Sequence, residues 1–134
     1  MIDPDADRPV HRQLADLLRT QIRSGVLRPG DQLPAENRLA QVHAVGRDTV
    51  RAAVAILRSE GLVTTRAPYG TVVRRQPSRR PVNVQRGSVV RVWMPDPDER
   101  RTHKVGEGIP LLEIRHPDGV VDVFPADEVE LVYT

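Results

Sequence analysis

Apolar positions near the start of the chain recur with the period of an α-helix. They are spaced 4, 3, 1 and 4 residues apart and form a single stripe, made of Val10, Leu14, Leu17, Leu18 and Ile22. Pro9 suits the first turn of such a helix, and Gly25 follows its last turn. The next segment, RPGDQLP, contains the turn signal Pro29-Gly30. The pattern therefore predicts an amphipathic helix followed by a loop.

Two more helices are predicted before residue 61. The first covers about residues 35–43 and turns Leu39 and Val42 inward. After a turn over residues 44–46, the second runs to about residue 60 and ends at Gly61. Its inward face consists of Val50, Ala53, Val54 and Leu57. A tight turn between two helices is typical of a helix-turn-helix.

Two short β-branched runs follow the third helix, at residues 62–66 and 71–74, with the segment APYG between them. They predict a small hairpin. Three helices and a hairpin make a winged helix-turn-helix, and we assign it to a domain of residues 1–75.

The rest of the chain divides into a linker and a small module. Residues 76–87, QPSRRPVNVQRG, combine prolines, polar residues and positive charge without a clear period, which predicts a linker. In residues 88–134, SVVRVWM predicts a strand, and DPDERRTH predicts a short helix with Asp96 as its cap and Pro97 at its first position. PLLEIRH and VVDVFP form a hairpin around PDG, and VELVY is a last strand. The fold class is therefore α+β, with a small α+β module at the C-terminal side.

Charge is distributed unevenly along the chain. Residues 1–75 hold 12 arginines and 8 acidic residues, a net charge of +4, and residues 76–87 add 3 arginines. Residues 88–134 hold 5 basic and 10 acidic residues, a net charge of −5. A polyanion would attract the first part and repel the last, which points to nucleic acid as the partner of the N-terminal domain.

The third helix carries arginines at its very start. Arg47 and Arg51 are one turn apart, and together with Arg58 they form a stripe about a quarter turn from the apolar face. A helix that buries one face and offers arginines near its N-terminus matches a recognition helix in the major groove. Arginine bonds guanine edges or clamps phosphates, while Thr49 and the amides of the helix start suit phosphate oxygens. The pattern predicts DNA binding through this helix.

Residues 9–73 resemble the winged-helix domain of GntR-type bacterial transcription regulators. The resemblance rests on the blocks IRSGVLRPGDQLP, RDTVRAA and LRSEGLV, a long and specific pattern in a region that covers about half of the chain. It implies a two-fold dimer on a pseudo-palindromic operator. It also implies DNA contacts on the third helix and in the wing, residues 66–70, made by Arg47, Asp48, Thr49, Arg51, Arg66, Tyr69 and Gly70.

The sequence departs from the GntR pattern at the second helix and in the wing. The second helix usually begins Ser-Glu-Arg, and here it begins Ala35-Glu36-Asn37. We expect Asn37 to read adenine in place of that arginine, or Arg38 to take the phosphate contact. The tip of the wing, residues 67–70, has Tyr69 where a basic residue is usual.

The acidic module has a shorter resemblance to a known effector domain. Residues 99–127 resemble the beginning of the UTRA module, where a helix and a strand precede a hairpin. The 47 residues after Gly87 suggest a trimmed relative, small for a ligand site, which commonly needs about 300 Å³. We expect the module to dimerise through its sheet, and we leave open whether it binds a small-molecule effector.

Motifs for catalysis, metals and membranes are absent from the sequence. It has no cysteine, no Gly-rich phosphate loop and no nucleophile motif, so we expect neither an enzyme nor a cofactor. The acidic residues around Asp98 are interpreted as helix-dipole partners, and the histidines lack the spacing of metal ligands. No apolar run is long enough to cross a bilayer and the start is unlike a signal peptide, which favours a cytoplasmic protein.

The predicted function is sequence-specific DNA binding by a homodimeric transcription regulator, a repressor that occupies promoters. The alternative is a DNA-anchored adaptor whose acidic C-terminal module binds a partner protein.

Overall fold

Three helices and a hairpin make up the first part of the computed structural model, which describes residues 2–66, 70–75 and 77–133. The helices are α1 (Val10–Ser24), α2 (Glu36–His43) and α3 (Arg47–Ser59). The hairpin consists of β1 (Val63–Arg66) and β2 (Gly70–Val73), paired antiparallel. This order confirms the winged helix-turn-helix predicted from the sequence. The whole chain divides into two compact units, Met1–Arg75 and Gln76–Thr134.

The core of the first unit forms where the apolar stripes of α1 and α3 meet. Side chains from both helices are fully buried there, each contributing about 1.5–3 kcal/mol relative to an exposed position. The buried set is Leu14, Ala15, Leu18, Leu33, Leu39, Val50, Ala53, Leu57, Val63 and Val73. Because α3 turns its apolar stripe inward, its opposite face is left at the protein surface.

Helix α2 packs through a different face from the one that the sequence predicted. Leu39 is buried, with 4% of its surface exposed, whereas Val42 is 59% exposed. The inward face of α2 passes through Leu39, Ala40 and His43. Val42 lies roughly 110° away from the centre of that face, because successive residues of a helix are about 100° apart. The prediction that Val42 faces inward was therefore wrong.

An ion-pair cluster joins α1 to the end of α3. Arg19 donates to both carboxylate oxygens of Glu60 at 2.6 and 2.8 Å and to Asp16 at 2.7 Å, and Asp16 also accepts from Arg8. The hydrogen bond from Arg19 lowers the pKa of Glu60, and the hydrogen bond from Arg8, with that from Arg19, lowers the pKa of Asp16. The cluster therefore links the end of α3 to α1 with charged groups that stay ionised at neutral pH.

The described residues of the second unit form seven short elements, and five of these are strands in two separate sheets. They are β3 (Arg80–Val84), β4 (Val89–Trp93), α4 (Pro97–His103), β5 (Leu111–Arg115), β6 (Val121–Pro125), the 3-10 helix Ala126–Glu128 and β7 (Val129–Tyr133). Strands β4, β5 and β6 form an antiparallel sheet in that order, and β3 pairs in parallel with β7. The predicted helix and its cap are confirmed, since Asp96 accepts from the Glu99 backbone amide at 2.8 Å.

The predicted linker contains a strand that sequence analysis missed. Strand β3 lies within residues 76–87 and pairs with β7, about 50 residues further along the chain. Val82 and Val84 of β3 pack against the buried Leu112, Ile114 and Val129. Only two alternating apolar residues mark this strand, and its partner is distant in the sequence, so local periodicity does not reveal it.

Helices of the described residues are short or polar. None of them has the length and apolar character needed to cross a membrane. In the same part of the chain, no three acidic or histidine side chains come together as metal ligands would.

Candidate nucleic-acid interface

The first turn of α3 projects from the surface of the first unit. Gly46 precedes it in an extended conformation, and Arg47 is the first helical residue. Arg47, Asp48 and Arg51 are exposed and Thr49 is half-buried, because the other side of the helix packs into the core. Four of the residues that the sequence singled out thus share one turn of helix at an open surface.

Arg51 is held at this surface by a carboxylate from α2. Its Nε donates to both oxygens of Glu36, each 3.0 Å away, and its Nη1 lies 3.8 Å from Asp48 Oδ1. The hydrogen bond with Glu36 raises the pKa of Arg51 above its ordinary value. The side chain remains 62% exposed, and the Nη end of the guanidinium is not used by Glu36. That end carries the pair of donors that fits guanine O6 and N7.

Arg47 is held in a similar way by the neighbouring residue of α2. Its Nε donates to Asn37 Oδ1 at 2.6 Å. Two consecutive residues at the start of α2, Glu36 and Asn37, therefore each orient one arginine of α3. Arg38 is exposed beside them. Sequence analysis predicted Asn37 as a base reader, and in the structure it is exposed with its Oδ1 against Arg47, which is also predicted to contact DNA.

The wing approaches α3 through a chain of polar contacts. Arg58 Nη1 donates to Thr65 Oγ1 at 3.1 Å, and Thr65 Oγ1 lies 3.0 Å from Thr71 Oγ1 on the paired strand. Arg66 is exposed at the end of β1 and pairs with Gly70, whose φ of +85° favours glycine. Tyr69 lies outside the described residues. Arg58, which the helical projection places on the DNA-facing stripe, is half-buried and turned toward the wing.

A groove separates the wing from the two helices. Its volume is about 560 Å³, and it lies between the start of α2, the outer side of α3 and the hairpin. The rim is polar, with Glu36, Arg51, Arg58 and Thr65, and the floor includes Leu39 and Val50 together with Val54. Arginines and hydroxyls around a groove of this kind match the donors that contact phosphate oxygens in protein–DNA complexes.

Glu36 and Arg58 are the site residues whose roles the sequence did not reveal. Glu36 is 15 residues before Arg51, and nothing in the local pattern indicates that the two side chains meet. Arg58 lies on the same helical stripe as Arg47 and Arg51. It differs from them because the wing lies beside it and accepts its hydrogen bond. Both contacts depend on tertiary structure.

A helix-turn-helix with a hairpin beside it defines the winged-helix class of DNA-binding proteins. Here α2 and α3 form the helix-turn-helix, β1 and β2 form the hairpin, and α3 begins with exposed arginines. The family model described as bacterial regulatory proteins, gntR family, matches residues 11–73. YtrA of Sulfolobus acidocaldarius, a GntR-family transcription factor, is 33% identical in sequence, with a TM-score of 0.53 over 56% of this chain and 79% of YtrA. The chain belongs to the GntR family, a family of transcription regulators rather than enzymes.

Two further relatives support this assignment. The HTH-type transcriptional regulator GgaR of Escherichia coli K12 is 42% identical over 65 residues, which are 48% of this chain and 26% of GgaR. AraR(DBD), solved in complex with operator ORX1, is 31% identical, with a TM-score of 0.50 over 55% of this chain and 90% of AraR(DBD). The chain thus spans about a quarter of the length of the curated relatives that it matches, such as GgaR. The family match ends at residue 73, so the resemblance of residues 99–127 to UTRA stays a prediction.

Proposed function

We propose that the chain is a sequence-specific DNA-binding transcription regulator that binds a pseudo-palindromic operator as a homodimer. The observation that carries the proposal is the pair of oriented arginines, Arg47 and Arg51, at the exposed start of α3. Orientation matters because a guanidinium that is already held loses less conformational freedom when it binds. The operator complex of AraR(DBD) supports double-stranded DNA as the partner of this fold.

The proposed contacts divide between bases and backbone. Arg51 reads a guanine with its Nη end, and Arg47 contacts a base or phosphate next to it. Thr49 and the amides at the start of α3 contact phosphate oxygens, as helix N-termini do. Arg38 on α2 and Arg66 in the wing, with Gly70 permitting close approach, bind the backbone on either side of the major groove.

We propose a dimer because one winged helix makes few contacts with DNA, and a repressor because a bound dimer occupies the promoter. One winged helix makes few base contacts, and a second copy on a two-fold axis would double them at a spacing of about 34 Å along the duplex. We assign the dimer contact to residues 88–134, whose charge of −5 opposes binding of that module to DNA. Occupancy of a promoter by such a dimer blocks transcription, so we propose a repressor.

Selection of binding sites from random DNA tests this function. We expect enrichment of a palindrome whose half-sites are centred about 10 bp or a multiple of one turn apart. A double variant, Arg47→Ala with Arg51→Ala, serves as the matched control and should enrich no sequence. Absence of any enriched motif with the native chain would contradict the proposal, and would favour the adaptor function in which the acidic module binds another protein.

Glu36 provides a separate test of how the arginines are used. Glu36→Gln removes a negative charge from the DNA-facing surface, so binding to unrelated DNA should become tighter. Because Arg51 also loses its fixed orientation, we expect the ratio of operator to non-specific affinity to fall roughly 2- to 5-fold, as for loss of an exposed ion pair. Competition titrations with operator and scrambled duplex measure this ratio. Asp7→Asn, an equal charge change on an exposed residue of the N-terminal segment, should leave the ratio unchanged.

A further inference from the structure

Strand β4 is an unusual edge of the second unit. It lies at one side of the β4-β5-β6 sheet, and no strand of the described residues pairs with its outer side. Sheet edges are normally protected by proline or by charged side chains. The other edge strands of this unit have such groups, namely Pro81 in β3, Pro125 and Asp122 in β6, and Glu130 in β7. The five residues of β4, VVRVW, contain no proline and one charge.

The one charged residue of β4 already has a partner within its own sheet. Arg91 pairs with Glu113 of the adjacent strand, with Nη2 and Oε2 3.0 Å apart. The apolar residues beside it are exposed, with Val92 at 57% and Val90 at 37%, and Met94 just after the strand at 58%. These three alternate along the chain and therefore lie on one face of the sheet. An open edge with an apolar row is the typical template for pairing with another strand.

We infer that β4 is the contact between two copies of this chain, paired antiparallel about a two-fold axis that passes through Val92. This inference rests on the proposed homodimer and specifies its interface. In this register Val92 faces the partner's Val92, and Val90 faces the partner's Met94. On the opposite face of the sheet, Arg91 faces the partner's Trp93. Every cross-strand pair is then apolar or a cation beside an aromatic ring, both of which stabilise a sheet.

A shallow hollow beside β4 fits this register. Its volume is about 370 Å³, and it is lined by Arg91, Val92, Trp93 and Glu99. Trp93 Nε1 donates to Glu99 Oε2 at 3.0 Å, which places a carboxylate next to the indole ring. The partner's Arg91 would enter this hollow between a ring face and a negative charge. Two equivalent contacts of this kind form across the two-fold axis.

The neighbouring registers are less favourable. A two-fold axis through Arg91 would place two arginines directly opposite each other, and like charges in that position are destabilising. An axis through Val90 would place the exposed Val92 opposite the polar Ser88. An axis through Trp93 would place Pro95, which has no amide to donate, opposite Arg91 in the middle of β4, whereas the axis through Val92 places it opposite Val89 at the end of the strand. Only the axis through Val92 keeps both faces of the joined sheet complementary.

Disulfide trapping tests the interface without DNA, and the chain has no native cysteine to interfere. Residues opposite each other in antiparallel strands have Cα atoms about 4.5–5.5 Å apart, within the range of a disulfide. Val92→Cys should therefore convert most of the chain to a covalent dimer under mild oxidation. Val90→Cys is the matched control in the same strand, because the two introduced cysteines would be about 14 Å apart. It should not cross-link with itself, whereas a mixture of Val90→Cys and Met94→Cys chains should.

Sedimentation of the unmodified chain separates this inference from the homodimer proposal. A dimer in sedimentation together with selective trapping at Val92 supports the β4 interface. A dimer in which Val92→Cys does not cross-link, or cross-links no better than Val121→Cys on the opposite edge strand, would overturn the β4 interface and leave the homodimer standing. A monomer at all concentrations would overturn both.

Discussion

Replacing Arg51 with alanine is expected to weaken operator binding by roughly 5- to 150-fold, the range found for loss of one bidentate base contact. The physical reason is that Glu36 occupies only Nε, so the Nη donors of Arg51 remain to bond a guanine edge. Arg47→Ala should have an effect of similar size, since Asn37 likewise occupies only Nε of that residue. Fluorescence anisotropy with a labelled operator measures both variants.

Arg23→Ala is the control for loss of charge alone. Arg23 is exposed in the last turn of α1 and carries the same charge, so its removal should change operator affinity little beyond a general electrostatic effect. If Arg51→Ala and Arg47→Ala bound the operator as tightly as the native chain, α3 would not be the recognition helix. If they weakened binding to all DNA equally, the two arginines would contact phosphates rather than bases.

Leu39→Ala is expected to destabilise the first unit by about 2–5 kcal/mol, while Val42→Ala on the same helix should change stability by about 0.5 kcal/mol or less. Leu39 is 4% exposed and leaves a cavity when it is truncated, whereas Val42 is 59% exposed and leaves none. Urea unfolding followed by circular dichroism gives both values, and the two variants serve as controls for each other. If both substitutions lowered the free energy of unfolding equally, α2 would pack through the face with Leu39 and Val42 that the apolar pattern predicted.

The comparison of Leu39 with Val42 also bears on DNA binding. Helix α2 carries Glu36 and Asn37, which orient the arginines of α3, so a loosened α2 should disturb the recognition surface as well as the core. We therefore expect Leu39→Ala to weaken operator binding even at temperatures where it remains folded, and Val42→Ala to bind normally.

The local sequence was sufficient to predict the winged helix-turn-helix and the exposed arginines at the start of α3. Helical periodicity, a glycine after the third helix and two β-branched runs are properties of short segments, and they specify helices and a hairpin wherever those segments pack. An amphipathic helix that buries Val50 and Leu57 keeps Arg47 and Arg51 out of the core, because the arginine stripe lies about a quarter turn from the apolar face. The same reasoning predicted the capped helix α4 from Asp96 and Pro97.

The partners of those residues were decided by tertiary structure. The bond between Arg51 and Glu36 and the parallel pairing of β3 with β7 join segments that are separated in the sequence. The contact of Arg58 with Thr65 depends on how the hairpin folds back beside α3. Periodicity shows which side of an element is apolar, but it contains no information on where a neighbouring element will lie. For the same reason Val42 was expected in the core: α2 has only eight residues, and the direction from which α3 packs against it selects its buried face.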